Sequence, residues 1–454
     1  MRRPRTIGTV AATLLAVAAG AGVGNAAPRS PLAGFVVTRA SVNSDGIEGN
    51  DWSTAHPGIS ADGRFVAFDS YATNLVPNDT NTGTDVFYRD QGLRVTDRAT
   101  VSSDEVQSDG GDNDDWGPEV SSDGRYIVYD SYATNLVDDD TNGASDIFVR
   151  DVVLGTTTRV SVASDGTQGN GESRTPAISA DGRFVSFNSA ATNLVAGDTN
   201  GYMDIFVHDM QTGVTTRVSV SSGGAQGNSI SGDFSRLSAD GRYVVFNSNA
   251  SNLVPSDMNH TFDVFVHDMD TGTTERDSVD SAGREANGAS DFPTISSDGR
   301  YVVFQSRASD LVGSDTNSVN DIFIHDRTTG RTDRVSVTST GGEANCVPDG
   351  EGGCLGGCTE PAVSADARYV AFAATSTNLV PGDTNHQEDV FLRDRRTGQT
   401  FRISVSVAGQ QVKLGGHSPA ISADGKVIAY ESFGSNIVPG DTNGTGDIFV
   451  FNFR

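Results

Sequence analysis

A repeated Asp-x-Asn-x-x-x-Asp motif has the residue types best suited to binding a metal ion. Oxygen ligands at positions 1, 3 and 7 of a tight loop form part of a calcium-binding loop. An EF-hand loop also has a bidentate Glu at position 12, which these loops lack, so backbone carbonyls or a neighbouring repeat would have to complete the calcium shell. The seven copies are Asp79/Asn81/Asp85, Asp140/Asn142/Asp146, Asp198/Asn200/Asp204, Asp257/Asn259/Asp263, Asp315/Asn317/Asp321, Asp383/Asn385/Asp389 and Asp441/Asn443/Asp447.

The same residues also fit a purely structural role. Asp and Asn side chains bond to nearby backbone N–H groups in Asx-turns, and such turns commonly precede strands. Because the motif recurs in every repeat, it is also suited to serving the repeat itself. Both interpretations, calcium ligation and turn formation, stay open at the level of sequence.

A second repeated set consists of charged residues at the ends of predicted strands. We expect cross-strand ion pairs between a fourth-strand arginine and an aspartate that ends the third strand of the same repeat. The arginines are Arg39, Arg98, Arg159, Arg217, Arg276, Arg334 and Arg402. The aspartates are Asp90, Asp151, Asp209, Asp268, Asp326 and Asp394, and Asn452 replaces the seventh.

Histidines share one repeat position with arginines. His208, His267 and His325 stand where other copies have Arg89, Arg150 and Arg393. Exchange with Arg predicts an exposed strand end, and a three-histidine metal site is the alternative. Signatures of catalysis are absent, since the chain has neither a Gly-x-Ser-x-Gly elbow nor a His-Glu-x-x-His pair. A pair of acidic residues for glycoside cleavage remains open, because only geometry selects two from so many.

These residues belong to an internal repeat of roughly 60 residues, and such repeats decide the fold. Each copy contains a Ser-x-Asp-Gly-Arg turn, with variants at Ala367 and Lys426, and four strand-like runs rich in Val, Phe and Tyr. Four strands per repeat, seven times over, predict an all-β, seven-bladed β-propeller. The turn aspartates are Asp62, Asp123, Asp181, Asp240, Asp298, Asp366 and Asp424.

The two ends of the chain predict how the ring closes. The seventh repeat stops after its third strand, and residues 35–42 match the missing fourth strand, including its arginine. We therefore expect the N-terminal strand to complete the last blade.

The Ser-x-Asp-Gly-Arg-Phe/Tyr-Val-x-Phe run, followed by Asp-Ile/Val-Phe-Val-x-Asp, resembles TolB-type, WD40-like β-propeller repeats over essentially the whole mature chain. The resemblance implies the propeller fold and roles that range from binding and scaffolding to lyase or peptidase association. Two departures stand out. The family's usual Pro in the turn is Ala or Ser here, and we expect no room for TolB's N-terminal α/β domain, so a Tol–Pal partner role is not implied.

Strand order predicts that the Asp-x-Asn loops and the segments between blades share one face of the propeller. That face holds the variable segments and both tryptophans, Trp52 and Trp116, which are suited to stacking on a sugar, anchoring a protein or filling a blade edge. It also holds an insertion at residues 338–362 with all three cysteines, Cys346, Cys354 and Cys358. A disulfide between Cys354 and Cys358, or between Cys346 and either of them, is expected in an exported protein, and no His lies in the insertion to favour a metal site.

The N-terminus predicts export. Residues 1–27 combine arginines, an apolar run and small residues, as a secretory signal does, which leaves residues 28–454 as a single propeller domain. The chain has a net charge of −27, which disfavours nucleic acid and anionic lipid as partners. We expect a secreted monomer without a membrane span, whose protein or glycan partner the sequence does not name.

The leading hypothesis is a non-enzymatic binding or scaffold propeller that uses its loop-rich acidic face. One alternative is an extracellular polysaccharide lyase or glycosidase that acts in the central funnel. Another is a calcium-stabilised structural protein of the envelope. Non-repeating ionisable residues around the axis would favour the enzyme, whereas strict seven-fold equivalence there would favour the scaffold.

Overall fold

The computed structural model of the chain describes residues 34–111, 117–348 and 354–454, and these form strands and no helix. The predicted signal segment and Trp116 lie outside the described residues. The strands of the first three blades are β2 (Ser53–Ile59), β3 (Phe65–Ser70), β4 (Asp85–Asp90) and β5 (Val95–Arg98); β6 (Glu119–Val120), β7 (Tyr126–Ser131), β8 (Asp146–Asp151) and β9 (Thr156–Arg159); and β10 (Ser173–Ile178), β11 (Phe184–Ser189), β12 (Asp204–Asp209) and β13 (Val214–Arg217).

The next three blades repeat this arrangement, and a two-stranded hairpin, β22 (Val347–Pro348) and β23 (Cys354–Leu355), precedes the sixth. Their strands are β14 (Ser231–Leu237), β15 (Tyr243–Ser248), β16 (Asp263–Asp268) and β17 (Thr273–Arg276); β18 (Ser290–Ile295), β19 (Tyr301–Ser306), β20 (Asp321–Asp326) and β21 (Arg331–Arg334); and β24 (Cys358–Val363), β25 (Tyr369–Ala374), β26 (Asp389–Asp394) and β27 (Gln399–Arg402).

The seventh blade joins the two ends of the chain. It consists of β28 (His417–Ile421), β29 (Val427–Ser432), β30 (Asp447–Asn452) and the N-terminal β1 (Val36–Arg39). β1 runs antiparallel to β30, with Val36 opposite Asn452 and Arg39 opposite Phe449. This confirms the predicted seven-bladed propeller and its closure by the N-terminal strand.

The core lies between blades. The second and third strands of each blade are buried on both faces, because a neighbouring blade packs on each side. Between the fourth and fifth blades, for example, Val245 and Val264 pack with Phe304 and Phe323. Such burial of branched and aromatic side chains is the main favourable term in the folding of each repeat.

A closed ring of seven backbone hydrogen bonds, which we call the belt, connects the blades around the axis. Each bond joins the x residues of the Ser-x-Asp-Gly turns in adjacent blades, with N···O distances of 2.9–3.2 Å. The N–H groups donate in the order Ala61, Ser122, Ala180, Ala239, Ser297, Ala365 and Ala423, and the last returns to the carbonyl of Ala61. Proline has no N–H to donate. The belt therefore explains why this position is Ala or Ser.

Side-chain bonds hold each of these turns in shape. In the first blade the Ser60 hydroxyl donates to Asp62, and Asp62 accepts the Arg64 N–H at 2.9 Å. Gly63 has φ +72°, and a Cβ there would lie 2.5 Å from Val427 of the neighbouring blade. Turn geometry and inter-blade contact thus both require glycine at this position.

The first strand of each blade faces the central channel. Above the belt, apolar residues near the ends of these strands surround the lower part of the cavity, namely Ile59, Ile178, Leu237, Ile295, Val363 and Ile421. The channel is therefore apolar toward the Asp-Gly face. Among the residues that the structure describes, no helix is long and apolar enough to cross a membrane.

The structure narrows the three possible disulfide pairings of the cysteines. Cys358 is a free and completely buried thiol on β24, so both pairings that include Cys358 are wrong. Cys346 forms a disulfide. Burial of Cys358 raises the pKa of its thiol, which keeps the thiol protonated and unreactive.

The belt predicts a cost for proline at its donor positions. Replacing Ala180 with Pro removes the N–H that donates to Ala239, and should lower the free energy of unfolding by about 1 kcal/mol or more. Ala180→Ser is the matched control and should be neutral, since Ser122 and Ser297 occupy the equivalent position. Urea denaturation measures both. A proline variant as stable as the serine variant would show that the belt does not stabilise the ring.

Candidate functional site

The Asp-x-Asn loops already contain a cation, the guanidinium of the fourth-strand arginine. In the fourth blade, Nη1 of Arg276 lies 3.8 Å from Asp257, 3.4 Å from Asp263 and 2.5 Å from Glu285. In the seventh, Nη1 of Arg39 lies 2.7 Å from Glu48 and 2.9 Å from Asp447. The carboxylates of these loops are therefore neutralised within the protein itself.

The loop asparagines serve as turn acceptors and as donors to the next loop. The amide nitrogen of Asn142 donates to Asp146 and to the carbonyl of Gly169, and its oxygen accepts the Ala144 N–H at 2.9 Å. The last contact is an Asx-turn, so the oxygen that would bind calcium already bonds to the backbone. The same three contacts recur at Asn200, Asn259, Asn317, Asn385 and Asn443.

The first loop departs slightly from this pattern. The amide nitrogen of Asn81 donates to the carbonyl and the hydroxyl of Ser108 in the next loop, at 3.3 and 3.4 Å. Calcium ligation and turn formation were both open for these asparagines, and the structure shows contacts within and between loops at each of them: Asn81, Asn142, Asn200, Asn259, Asn317, Asn385 and Asn443. These contacts favour the structural interpretation at every asparagine of the motif.

The loops differ at one further position, a residue after the fourth strand whose side chain reaches the Asp-x-Asn loop of the same blade. Four copies have a glutamine there, and in three of these, as with Gln168, the amide donates to both aspartates of the loop. Three copies instead have Glu48, Glu285 or Glu343 at this position. Two of these, Glu48/Asp441/Asp447 and Asp257/Asp263/Glu285, bring three carboxylates close enough to hold a metal ion, but the arginine occupies the centre of both clusters. The aspartates of the motif therefore also favour the structural interpretation.

The predicted pairing of the fourth-strand arginines is wrong. Aspartates at the ends of the third strands bind the arginine of the Asp-Gly-Arg turn instead. Arg183 donates from Nε and Nη2 to the two oxygens of Asp209 at 2.9 and 2.7 Å, and stacks on Phe184. Five other blades repeat this bidentate clamp. The bonds from Arg183 hold the pKa of Asp209 far below its usual range.

The histidines of the third strands are buried, so the prediction of exposed strand ends is wrong. Nδ1 of His208 lies 2.8 Å from the hydroxyl of Thr215, and His267 and His325 have the same contact with their own fourth strands. The three histidines lie on different blades. Burial lowers the pKa of each imidazole, which keeps it neutral.

The seven blades differ from one another in the central channel. A cavity of about 220 Å³ lies there, lined by the first strands of all seven blades. In six of these strands the pairing with the second strand shifts at a bulge. The residue before the strand's proline adopts a positive φ at Thr175, Phe292, Glu360 and Ser418. Left-handed backbone before a proline is unfavourable, so the ring must hold these residues in place.

A carboxylate lies at the channel wall between the sixth, seventh and first blades. One oxygen of Glu360 is 3.7 Å from Nε2 of His56, and the other accepts the Ser418 N–H at 2.8 Å. Burial alone would raise the pKa of Glu360, but the contact with His56 and the charges of His56 and His417 lower it to about 2. Glu360 is therefore ionised throughout the physiological pH range.

A second carboxyl group, that of Glu388, lies behind this wall, and its pKa is shifted in the opposite direction. Thr359 donates to Glu388 at 2.9 Å. Burial first, and then repulsion from Glu360, raise the pKa of Glu388 to about 7. The environment thus separates the pKa values of two neighbouring carboxyl groups, as it does in many acid–base sites.

Aromatic residues extend the cluster toward the loop-rich face. Trp52 donates from its indole nitrogen to the buried Glu431 at 2.8 Å, and the other oxygen of Glu431 is 3.8 Å from Nδ1 of His417. Phe433 packs against both Trp52 and His417. Trp52, predicted to serve a ligand face, therefore contacts the channel cluster.

The opposite wall of the cavity is aromatic and carries one ion pair. The rings of Phe234 and Phe292 lie 4.2 Å apart. Nearby, Arg236 and Glu119 face each other at 3.1 Å. We define the channel cluster as His56, Glu360, Glu388, His417 and Glu431, with the Phe234/Phe292 pair as its aromatic wall.

Of the channel cluster and its aromatic wall, the sequence analysis identified no member as a candidate site residue. One feature of the sequence could have identified them, namely a variable residue next to a constant one in the repeat. The first strand has Pro in six of seven copies, whereas the preceding residue is His, Gly, Thr, Phe, Glu or Ser. Three of these residues, His56, Phe292 and Glu360, line the cavity.

Comparisons with known proteins agree with this geometry at the level of the fold. Neither a protein-family model nor a curated protein matches the sequence. An oligogalacturonate lyase from Vibrio parahaemolyticus is similar in structure, with TM-score 0.53 and 11% identity over 92% of this chain and 93% of that chain. The β-propeller domain of the Trilobed protease from Pyrococcus furiosus has TM-score 0.50 and 10% identity over 88% and 95%. A TolB from Acinetobacter baumannii has TM-score 0.41 and 16% identity over 79% and 65%.

The first two likenesses agree with a β-propeller fold for this chain. At these identities the likeness does not extend to activity or ligand.

Removing the internal cation should create a calcium site where three carboxylates meet. Arg276→Met should lower the melting temperature in chelator, and calcium should restore it, since about 100-fold excess over Kd adds about 2.7 kcal/mol. Arg217→Met is the matched control, because its loop has Gln226 in place of Glu285, and should recover much less. Thermal melts with and without calcium test this. Equal behaviour of the two variants would contradict it.

The buried loop aspartates predict maximum stability at mildly acidic pH. Burial raises the pKa of Asp263, Asp315 and Asp441 to about 6, from 3.8 in the unfolded chain. Their contribution is fully present below pH 3.8 and is lost as pH rises through 6. The melting temperature should therefore rise as pH falls from 7.5 to about 5.5. Below about pH 4 the clamp aspartates, whose pKa values are lowered, begin to lose their contribution.

Asp315→Asn tests the assignment. This substitution removes one of the carboxyl groups whose pKa is raised. The melting temperature should therefore change less between about pH 5.5 and 7.5 than it does in the wild type. An unchanged slope would assign the pH dependence to other residues.

Proposed function

We propose that this protein is a secreted binding propeller that takes a small polar ligand into its central channel from the loop-rich face. The supporting observation is that the channel breaks the seven-fold repetition, whereas the Asp-x-Asn loops and the turns maintain it. Concave sites with a few convergent polar groups and aromatic walls are typical of small-molecule binding. The ligand contact thus lies in the funnel, deeper than the acidic face that the sequence analysis favoured.

The charge of the chain and its N-terminal segment support the rest of this proposal. A net charge of −27 suits a well-solvated extracellular protein. The same charge disfavours binding to nucleic acid, because phosphate groups are also negative. Residues 1–27 have the order of a secretory signal. The protein would act as a monomer, since one ring provides all residues of the cluster.

Catalysis is the second candidate. The ionisable residues of the channel cluster do not repeat from blade to blade, which the sequence analysis expected of an enzyme, and the two carboxyl groups also favour it. Glu360 is ionised, whereas Glu388 is partly protonated near neutral pH. An ionised carboxylate beside a carboxylic acid is what a glycosidase requires. Release of reducing ends from neutral polysaccharides by the wild type, lost in Glu388→Gln, would establish a glycosidase. A lyase would instead give unsaturated products from uronic-acid polymers.

Calcium stabilisation is the third candidate. The acidic clusters at Glu48/Asp441/Asp447 and Asp257/Asp263/Glu285 are its best sites. An ion there would have to displace Arg39 or Arg276 from contacts with the same carboxylates. That cost makes calcium less favourable than the internal guanidinium.

The binding proposal predicts that ligands act through the channel cluster. We would screen the wild type by thermal shift against monosaccharides, oligosaccharides, amino acids and polyamines. Every compound that raises the melting temperature should lose most of its effect in the double variant His56→Ala/Glu360→Gln. The control Arg331→Ala changes an exposed residue on an outermost strand and should respond as the wild type does. Compounds that stabilise the double variant equally would place binding outside the channel and overturn the proposal.

A further inference from the structure

The charges around the cavity do not cancel. Arg236 is neutralised by Glu119 across the channel, at 3.1 Å. Burial lowers the pKa of His417, so its imidazole is neutral at pH 7 and above. Glu360 keeps its negative charge, and the His56 imidazole that lies 3.7 Å from it is the other ionisable group at this part of the wall. Behind it stand the carboxyl groups of Glu388 and Glu431, in a chain whose net charge is −27. A cleft lined by one sign of charge between low-dielectric walls concentrates ions of the opposite sign.

The carboxylate of Glu360 also has acceptor capacity to spare. A carboxylate has about four lone-pair sites. Glu360 uses one for the Ser418 N–H and faces His56 at 3.7 Å, which is longer than a hydrogen bond. The bulged backbone of β24 directs this side chain into the cavity. A donor that enters the channel can therefore bond to Glu360 while the existing contacts stay in place.

The aromatic wall supplies a second and independent feature. Phe234 and Phe292 both line the cavity, and their rings are 4.2 Å apart. The face of an aromatic ring is negative and attracts cations within about 6 Å of its centre, and it also packs against apolar groups. Their wall therefore suits a cation or an apolar group equally, and disfavours an anion.

We infer that the ligand of the channel carries a positively charged nitrogen group, an ammonium or an amidinium, on an apolar body. The charged group bonds to Glu360, and the apolar body packs on Phe234 and Phe292. This inference rests on the proposed binding function. A cavity of about 220 Å³ is larger than the roughly 150 Å³ that a benzene ring needs, so it can hold one ring-sized group.

Three probes of the same size and different charge test this inference by calorimetry: benzamidine, benzyl alcohol and benzoate. Benzamidine should bind at least tenfold more tightly than benzyl alcohol, and benzoate should bind more weakly than either. In Glu360→Gln the preference for benzamidine over benzyl alcohol should fall about tenfold. Phe292→Leu should weaken benzamidine and benzyl alcohol together.

Glu275→Gln is the matched control, since it removes the same charge from an exposed position on an outer strand. It should leave all three affinities unchanged, and a thermal melt of each variant shows that it is folded. Equal binding of benzamidine and benzyl alcohol, a preference for benzoate, or an unchanged preference in Glu360→Gln would overturn the inference and leave the binding function standing. If no probe binds, the inference fails. The thermal-shift screen then decides the binding function separately.

Discussion

Closure of the ring is the constraint on which the other features depend. The belt of seven backbone hydrogen bonds can form completely only when the last blade meets the first, because Ala423 donates to Ala61. Each donor must have an N–H, so the turn excludes proline. Two residues later, six of the turns have a glycine that lies against a side chain of the neighbouring blade, and the sixth turn has Ala367. The belt and the apolar residues above it lie at one end of the channel. The polar channel cluster therefore lies toward the other end.

Arginine explains how so acidic a chain folds around its carboxylates. One set of arginines clamps the aspartates that end the third strands, and another set enters the Asp-x-Asn loops. Each set repeats around the ring and is bound within its own blade or to the next loop. Charge-assisted bonds of this kind are stronger than neutral ones. The aspartates that are most abundant in the sequence thus maintain the repeat, and the carboxylates that depart from the repeat are those left for a ligand.

The fold was predictable from the sequence because the same pattern of four strands occurs in each of seven repeats. The N-terminal strand, which has no partner within its own repeat, indicated how the ring closes. The contacts of the charged and histidine side chains at the ends of the third strands were harder to predict. Asp209 was expected to pair with the fourth-strand arginine, but the turn brings Arg183 closer, and the buried position of His208 could not be inferred from its exchange with arginine. The channel cluster was missed because its members, from His56 to Glu431, are far apart in sequence. Each looks like a single irregularity within its own repeat, and only the ring brings them together.

The split blade has a consequence for the order of events during synthesis. Among the strands that the structure describes, β1 comes first in the chain and its partner β30 comes last. Six blades can form while the first strand waits unpaired, and the ring gains its last contacts only after β30 has been made. Domains that need a distant terminus fold late and expose unpaired edges in the meantime. A truncated product of this gene would thus remain an open arc, which proteases can distinguish from the finished ring.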